Sequence, residues 1–190
     1  MRDSGGVREL RELALGGVLL TSWAVAEGWS RPSLFRRLRE EGWVALGEGA
    51  WSEPGRAPDL RTRLRATQLA APGLVVSQRA AAWLWRVELL RVKAEFTDPD
   101  GLRKRKYVRV HRCAMPPGDV VVRDGLRVTG VDRTLADLLV ACPRDEALVA
   151  VDSALAHRTV TDGGSRIRRA PLTRLHKVAA ALGGRSRGAV

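Results

Sequence analysis

The chain has 190 residues, of which 45% are hydrophobic and 28% charged, a composition typical of one large or two small globular domains. No stretch reaches the roughly 18 apolar residues of a membrane span, and the N-terminus lacks an apolar signal core, which predicts a cytoplasmic protein with no membrane contact. The formal net charge of +12 favours a polyanionic partner, because nucleic acid releases counterions when its phosphates are neutralised.

The positive charge is unevenly distributed along the chain. Residues 1–52 carry seven arginines and seven acidic residues, whereas residues 53–113 carry fourteen basic and six acidic residues. Residues 161–190 carry seven basic residues and one acidic residue. Clustering of this kind is a better indicator of a nucleic-acid partner than a basic average.

Two helices are predicted before residue 30. Residues 7–15 place their apolar side chains on one face, which predicts a first helix that packs behind the next two. Thr21 is positioned to cap a second helix over residues 21–27, and Gly28 supplies the turn that follows it.

A basic helix is predicted to come next. Ser30 precedes it as the N-cap residue, and Pro32 lies in its first turn, where a missing N–H costs nothing. Leu34 and Leu38, helped by Phe35, form the buried stripe. The opposite face presents candidates for base-edge contacts, Ser33, Arg36 and Arg37, and its two ends present candidates for phosphate contacts, Arg31 and Arg39.

Residues 43–52 alternate apolar and polar side chains around Gly47-Glu48-Gly49, a pattern typical of a two-stranded β-wing. Three helices and a wing predict that residues 1–55 form a winged helix-turn-helix domain whose basic helix enters the major groove of DNA. A small helical hairpin with a solvated charged face is the alternative interpretation of the same residues.

The proline- and glycine-containing segment 53–58 predicts a domain boundary, so residues 56–190 are expected to form a mixed α/β domain. The fold class predicted for the whole chain is therefore α+β. The elements expected in the second domain are helices over residues 59–71 and 77–85, the latter capped by Ser77, paired strands over 87–96 and 106–113, and a hairpin over 119–128 around Asp124-Gly125.

Three further helices are expected after this hairpin. The first begins at Thr129 or Asp132 with Leu135, Leu138 and Leu139 inward, the second covers residues 143–158 with Leu148, Val151 and Leu155 inward, and the third covers 170–182. Asp132, Arg133 and Asp137 are interpreted as cap and ion-pair groups. The tail 183–190 is expected to be flexible.

A second cationic cluster lies between the two paired strands. It consists of consecutive basic residues and one that follows on the second strand: Arg103, Lys104, Arg105, Lys106 and Arg109. Beside a DNA-reading module, such a tip predicts a second contact with the phosphate backbone. A solvated loop is the alternative.

Motif checks predict that the chain is not an enzyme. None of its four lysines follows an acidic residue by two positions, as a restriction-type nuclease requires, and HExxH, GxxxxGK[ST] and GxSxG are all missing. His111 and Cys113 form one pair, whereas structural zinc takes four ligands, so no metal or other cofactor is predicted. Cys113 and Cys142 are expected to be buried core residues.

Several segments together resemble the AbiEi-type antitoxin family of bacterial type IV toxin-antitoxin systems. They are WSRPSLFRRLREEGWVALGEGAWS, SQRAAAWLW, YVRVHRC and GLRVTGVDRTLADLL, and the resemblance covers about residues 10–160. It implies a winged helix-turn-helix repressor that sits on inverted repeats in its own promoter, bound as two copies. It also implies a C-terminal domain that supports DNA contact and counters a nucleotidyltransferase-like toxin.

Two alternatives to an antitoxin that represses its own promoter stay open at this point. The chain could be the regulatory DNA-binding half of a restriction-type or repair-type nuclease whose catalytic domain is absent from it. It could also be a protein-binding antitoxin whose basic surface neutralises an acidic toxin.

Overall fold

The computed structural model of the protein describes residues 8–55, 57–101, 108–155, 161–162 and 165–166. Helices and antiparallel and mixed β-sheets are both present, which confirms the predicted α+β class. The chain divides into two compact units between Gly73 and Leu74. Within the described ranges, no helix is long and apolar enough to cross a membrane.

The N-terminal unit contains three strands and three helices. In chain order these are β1 (Val18–Leu20), α1 (Thr21–Ala26), α2 (Arg31–Glu40), β2 (Val44–Gly47), β3 (Ala50–Ser52) and α3 (Leu60–Ala70). The strands form an antiparallel sheet in the order β1-β3-β2. The tight hairpin of β2 and β3 confirms the predicted two-stranded element over residues 43–52.

Helix α3 belongs to this N-terminal unit, although the sequence predicts a boundary at residue 55. Ala66 on α3 packs with Val18, Leu20 and Ala50 of the sheet in one buried cluster. Arg65 also donates a hydrogen bond from Nη1 to the carbonyl oxygen of Gly16, at 3.2 Å. The proline- and glycine-containing segment is therefore a connection inside the unit, because the helix after it returns to the same core.

The predicted helix over residues 7–15 is wrong for its described part. Residues 10–13 form a turn, and Leu15 bridges to Val18 at the start of β1, a strand that the sequence did not predict. Leu10 is still buried, so its apolar contribution is made without a helix. Thr21 does not cap α1 either, because its hydroxyl donates to the carbonyl oxygen of Gly49 at 2.9 Å.

The C-terminal unit is built on a five-stranded mixed sheet. Its elements are β4 (Val75–Val76), α4 (Gln78–Leu84), β5 (Glu95–Asp98), β6 (Arg109–Arg112), a 3-10 turn (Pro117–Asp119), β7 (Val120–Arg123), β8 (Leu126–Thr129), α5 (Val131–Ala141), α6 (Arg144–Leu155), β9 (Thr161–Asp162) and β10 (Ser165–Arg166). The large sheet has the order β6-β5-β4-β8-β7, and β9 pairs with β10.

Strands β5 and β6 are paired as predicted, but in parallel, with Glu95 opposite Arg109. Parallel neighbouring strands need a longer connection than a tight turn. Strand β5 also begins later than predicted, at Glu95 rather than at residue 87. The hairpin of β7 and β8 is confirmed. Asp124 and Gly125 form its turn at φ 52° and 73°, the left-handed region that this dipeptide favours.

The helix caps and apolar stripes differ in part from the prediction. Ser77 precedes α4 without capping it, since its hydroxyl accepts a hydrogen bond from Thr97 instead. Helix α5 starts after Gly130 rather than at Thr129 or Asp132, and Leu139 is 40% exposed while Leu135 and Leu138 are buried. The predicted helix 170–182 and the tail 183–190 lie outside the described residues.

Helix α6 buries small side chains rather than Leu148, and the side chain of Leu155 lies outside the described part of the chain. Ala147, Ala150 and Ala154 are buried, whereas Leu148 is 53% exposed and Val151 is partly buried. Alanines let two helices approach closely, and Ala150 and Ala154 pack in one cluster with residues of α4 and α5. The prediction that Leu148 lies on the inner face of α6 is therefore wrong.

A buried ionic cluster connects α4, β5 and α6. Arg79 donates from Nε and Nη2 to the two carboxylate oxygens of Glu146, at 2.6 and 2.7 Å, and from Nη1 to Glu95 at 3.3 Å. The hydrogen bonds from Arg79 hold the pKa of Glu146 below its usual value. Burial opposes ionisation of Glu95, but His111 and Arg79 still hold the pKa of this carboxyl below its usual value.

A second ionic cluster centres on Arg133, which is 3% exposed. Arg133 donates to Asp137 on the same helix at 2.8 Å and to Asp119 at 2.6 Å. The interpretation of Arg133 and Asp137 as ion-pair groups is therefore confirmed. Burial raises the pKa of Asp137 despite this pair.

Candidate nucleic-acid interface

Helix α2 is positioned by local signals at its start. Ser30 precedes the helix in extended backbone and accepts a hydrogen bond from the backbone N–H of Ser33 at 3.4 Å, and Pro32 lies in the first turn. The Ser33 hydroxyl accepts from the Ser30 hydroxyl at 3.0 Å. Ser33, predicted as a base-edge contact, is therefore partly engaged in the cap of its own helix.

The underside of α2 is apolar and fully packed. Leu34 and Leu38 have no exposed surface, and they share a cluster with Leu10, Leu19 and Trp43. This cluster, with Phe35 partly buried against it, confirms the predicted stripe. An amphipathic helix held by such a stripe turns its other face to solvent.

The outward face of α2 carries four exposed arginines, Arg31, Arg36, Arg37 and Arg39. Two of them face carboxylates one turn along the helix. Arg36 Nε lies 3.8 Å from Glu40 Oε1, and Arg37 Nε donates a short hydrogen bond to Glu41 Oε1. Arg31 and Arg39 have no ion-pair partner among the residues that the structure describes. Their guanidinium groups are therefore more available for an external anion than those of Arg36 and Arg37.

The end of α2 is fixed by a left-handed turn. Gly42 adopts φ 77°, and the N–H groups of Gly42 and Trp43 donate to the carbonyls of Arg39 and Leu38 at 3.1 and 2.9 Å. This double closure is the Schellman arrangement of helix C-termini. It places the buried indole of Trp43 against Glu41, whose Oε2 accepts from Nε1 at 2.8 Å.

The β2–β3 hairpin follows directly and is tied to α1. Thr21 Oγ1 accepts a hydrogen bond from Trp51 Nε1 at 3.1 Å and itself donates to the carbonyl oxygen of Gly49. Residues 43–52 contain no lysine or arginine, and Glu48 occupies the tip. A contact of this hairpin with phosphates would therefore rely on backbone N–H groups.

The second predicted phosphate contact is described only in part. Arg109 on β6 is exposed, with Nη1 4.0 Å from Glu95 Oε1. Arg103, Lys104, Arg105 and Lys106 lie outside the described residues. The structure therefore describes one cation of the five in this cluster.

The His111–Cys113 pair makes separate contacts. His111 Nε2 lies 3.6 Å from Glu95 Oε1, while Cys113 Sγ accepts a hydrogen bond from Arg133 Nη2 at 3.2 Å. Both cysteines are partly rather than fully buried, and Cys142 packs against the buried cluster of α4, α5 and α6, so the expectation that they are buried core residues is met only in part. Across the described ranges, no three His, Cys, Asp or Glu side chains are grouped to hold a metal ion.

Glu40, Glu41 and the buried Trp43, which contact this face of α2 or its partners, were not predicted as site residues. The signal was present, since glutamates four residues after Arg36 and Arg37 are placed to pair with them on a helix. Helical spacing does not predict the hydrogen bond from Trp43 to Glu41, because this contact depends on the left-handed turn at Gly42.

No protein-family model and no curated protein matches the chain. Among solved structures, it is similar to the RV2827C protein from Mycobacterium tuberculosis, with 18% sequence identity and a TM-score of 0.57 over 86% of this chain. The chain spans 66% of the length of that protein, slightly less than two thirds. At this identity the likeness concerns the fold alone.

Proposed function

We propose that this protein is a sequence-specific, double-stranded-DNA-binding transcriptional regulator whose N-terminal unit acts as a winged helix-turn-helix. The observation that carries this proposal is α2, an arginine-faced helix on a fully buried leucine underside, followed at once by the β2–β3 hairpin. A helix with outward guanidinium groups suits the major groove, where arginine bonds guanine bidentately or neutralises phosphate.

The order of elements supports the same assignment. Helices α1 and α2 are joined by a turn in which the Gly28 N–H donates to the carbonyl of Val25 at 3.1 Å. The strands of the three-stranded sheet come from both sides of this helix pair in the sequence: β1 precedes α1, and β2 and β3 follow α2. In a winged module, α2 would be the recognition helix and the β2–β3 hairpin the wing.

The carboxylates beside Arg36 and Arg37 do not prevent DNA contact. Exposed ion pairs contribute about 0–1 kcal/mol, whereas a bidentate arginine–guanine contact contributes about 1–3 kcal/mol of discrimination. A base contact therefore outweighs the loss of either pair. Arg31 and Arg39, which have no such partner among the described residues, suit the phosphate backbone.

Binding to DNA upstream of the gene for this chain tests the proposal. We expect fluorescence anisotropy at low salt to show tighter binding of that duplex than of a shuffled duplex. Arg31→Ala/Arg39→Ala should weaken binding to both duplexes and reduce the salt slope by about two, since each phosphate contact adds about one to it. Arg63→Ala, which removes an exposed charge from α3, is the control and should change binding less.

Three results would contradict the proposal or favour one of its alternatives. Equal weakening by single substitution of Arg63 and of either α2 arginine would show that α2 is not the interface. If the protein binds no duplex at low salt, the alternative hypothesis of a protein-binding antitoxin is favoured. A longer natural chain with an acidic-x-Lys core would favour the nuclease alternative.

On the sequence resemblance alone, we further propose that the regulator is an antitoxin that represses its own promoter. The partner would be a nucleotidyltransferase-like toxin, and the operator would be an inverted repeat occupied by two copies. Co-expression with a toxin encoded beside the gene tests this step. Growth rescue by the wild-type chain supports it, and toxicity unchanged by a well-expressed chain contradicts it.

A further inference from the structure

The two arginine–glutamate pairs of α2 differ in how firmly they are held. Arg36 and Glu40 are 74% and 58% exposed in their side chains, and the atoms lie 3.8 Å apart, beyond hydrogen-bond distance. Arg37 and Glu41 are 49% and 24% exposed and share a short hydrogen bond. The first pair is loose and screened by water, whereas the second is ordered.

Glu41 is ordered because both of its carboxylate oxygens are used. Oε1 accepts from Arg37 Nε, and Oε2 accepts from Trp43 Nε1 at 2.8 Å. Trp43 is 5% exposed and packs with Leu34 and Leu38 under the helix. The carboxylate therefore connects an exposed guanidinium to the buried core of the unit.

The helix dipole does not favour a carboxylate at this position. Glu41 is the C-cap residue of α2, where the negative end of the helix dipole disfavours an acidic side chain. The carboxylate is instead held there by its two side-chain hydrogen bonds, from Arg37 and from Trp43.

Arg37 is left in a state suited to reading a base. The hydrogen bond to Glu41 uses Nε, and within the described part of the chain Nη1 and Nη2 have no hydrogen-bond partner. A guanidinium fixed through Nε keeps two parallel N–H donors, which match the O6 and N7 acceptors of guanine. Fixing it beforehand reduces the side-chain entropy lost on binding.

We propose that Arg37 is the residue that reads a guanine in the operator and that Glu41, anchored by Trp43, is its positioning residue. Arg36 then contributes charge rather than base discrimination. This inference rests on the proposed DNA-binding function. The inference goes beyond that function because it assigns different roles to Arg36 and Arg37, which the sequence predicts alike as base-edge contacts.

The test compares Glu41→Gln with Glu40→Gln in the full chain. Each substitution removes one negative charge from the end of α2, but a glutamine at position 41 offers one carbonyl oxygen to two donors. The probe is a randomised duplex pool from which wild-type protein selects its preferred sequence. Affinity is then measured for the selected duplex, for duplexes with each G·C pair replaced in turn, and for the random pool.

We expect wild-type protein to discriminate against replacement of one G·C pair by about tenfold or more. Glu41→Gln should lower that discrimination by about fivefold while binding the random pool as well or better, because repulsion from phosphate is reduced. Glu40→Gln should show the same gain on the random pool with discrimination intact. Trp43→Phe, checked for folding by thermal denaturation, should lose discrimination with the Glu41 charge retained.

The outcomes separate this inference from the proposed function. Equal wild-type binding of selected and random duplexes would overturn both. Wild-type selectivity that persists in Glu41→Gln, or that falls equally in Glu40→Gln and Glu41→Gln, would overturn the positioning role alone. Loss of discrimination in Arg36→Ala but not in Arg37→Ala would overturn the ranking of the arginines.

Discussion

Replacing Arg79 by methionine should be among the most damaging single changes to the C-terminal unit. Its guanidinium neutralises Glu146 through two hydrogen bonds at 2.6 and 2.7 Å and contacts both oxygens of Glu95 at 3.3 Å. The side chain of Glu95 has no exposed surface, and that of Glu146 is 7% exposed. Methionine would leave Glu146 buried without its guanidinium partner, and would leave Glu95 with only the more distant Arg109 at 4.0 Å and His111 at 3.6 Å.

The expected loss is about 3–5 kcal/mol of unfolding free energy, the range for breaking a buried ion pair by removing one partner. That is a large share of the roughly 5–15 kcal/mol that stabilises a typical domain. Urea denaturation followed by tryptophan fluorescence measures it, because Trp83 and Trp85 lie at the end of α4. Arg112→Met, at an exposed position of β6, is the control and should stay within about 0.5 kcal/mol.

A triple variant separates charge burial from loss of packing. Arg79→Met combined with Glu95→Gln and Glu146→Gln removes all three charges, and replacing a whole buried ionic cluster is often neutral or stabilising. We expect it to recover most of the loss. A single-variant loss below about 1 kcal/mol, or a triple variant as unstable as the single one, would refute the reasoning.

Two further predictions concern stability. Asp59 accepts hydrogen bonds from the backbone N–H and hydroxyl of Thr62 at 2.8 and 2.7 Å, so Asp59→Ala should cost about 0.5–2 kcal/mol in urea denaturation, and an Asp59→Asn variant that costs as much would argue against the cap. Because the folded pKa values of Glu95 and Glu146 are lowered from 4.5, their stabilisation is present above that pH and is lost as the pH falls below it. The raised pKa of Asp137 acts in the opposite sense. Because Glu146→Gln removes one of the groups with a lowered pKa, its stability should fall less steeply from about pH 6 to about pH 3, and an equal slope would contradict this.

The candidate recognition helix could be predicted because its signals are local. Ser30, Pro32 and Gly42 mark its ends, and Leu34 and Leu38 mark its inner face, all within one short stretch. Each signal acts through backbone geometry or helix periodicity and needs no distant partner. The same holds for the Asp124-Gly125 hairpin.

The features that were missed or predicted wrongly depend on distant partners. Strand β1 has only three residues and is a strand because Leu19 pairs with Trp51, far along the chain. Strand β5 pairs in parallel with β6, a register that no turn residue specifies. The inner face of α6 is set by alanines that fit closely against α4 and α5, so the larger Leu148 was a misleading guide.

The buried charges were read correctly only where spacing revealed a partner. Arg133 and Asp137 are four residues apart on one helix, and they pair as expected. Arg79 and Glu146 are 67 residues apart, and only the packing of α4 beside β5 and α6 brings them together. A charged residue in an apolar segment therefore predicts a buried ion pair, but only the folded structure identifies its partner.

The candidate reading face and the net charge of the chain lie in different parts of the sequence. Residues 1–73 carry eleven arginines and nine acidic residues, a net charge of +2, and the other +10 belongs to residues 74–190. Non-specific affinity for DNA follows the number of neutralised phosphates, and glutamates beside Arg36 and Arg37 reduce that number on α2. Under the proposed function, such a helix would bind random duplexes weakly and depend on base contacts, which would raise the ratio of specific to non-specific affinity. Under the proposed function, Arg31 and Arg39 account for about two units of the salt slope, and a steeper dependence would point to the more basic residues 74–190.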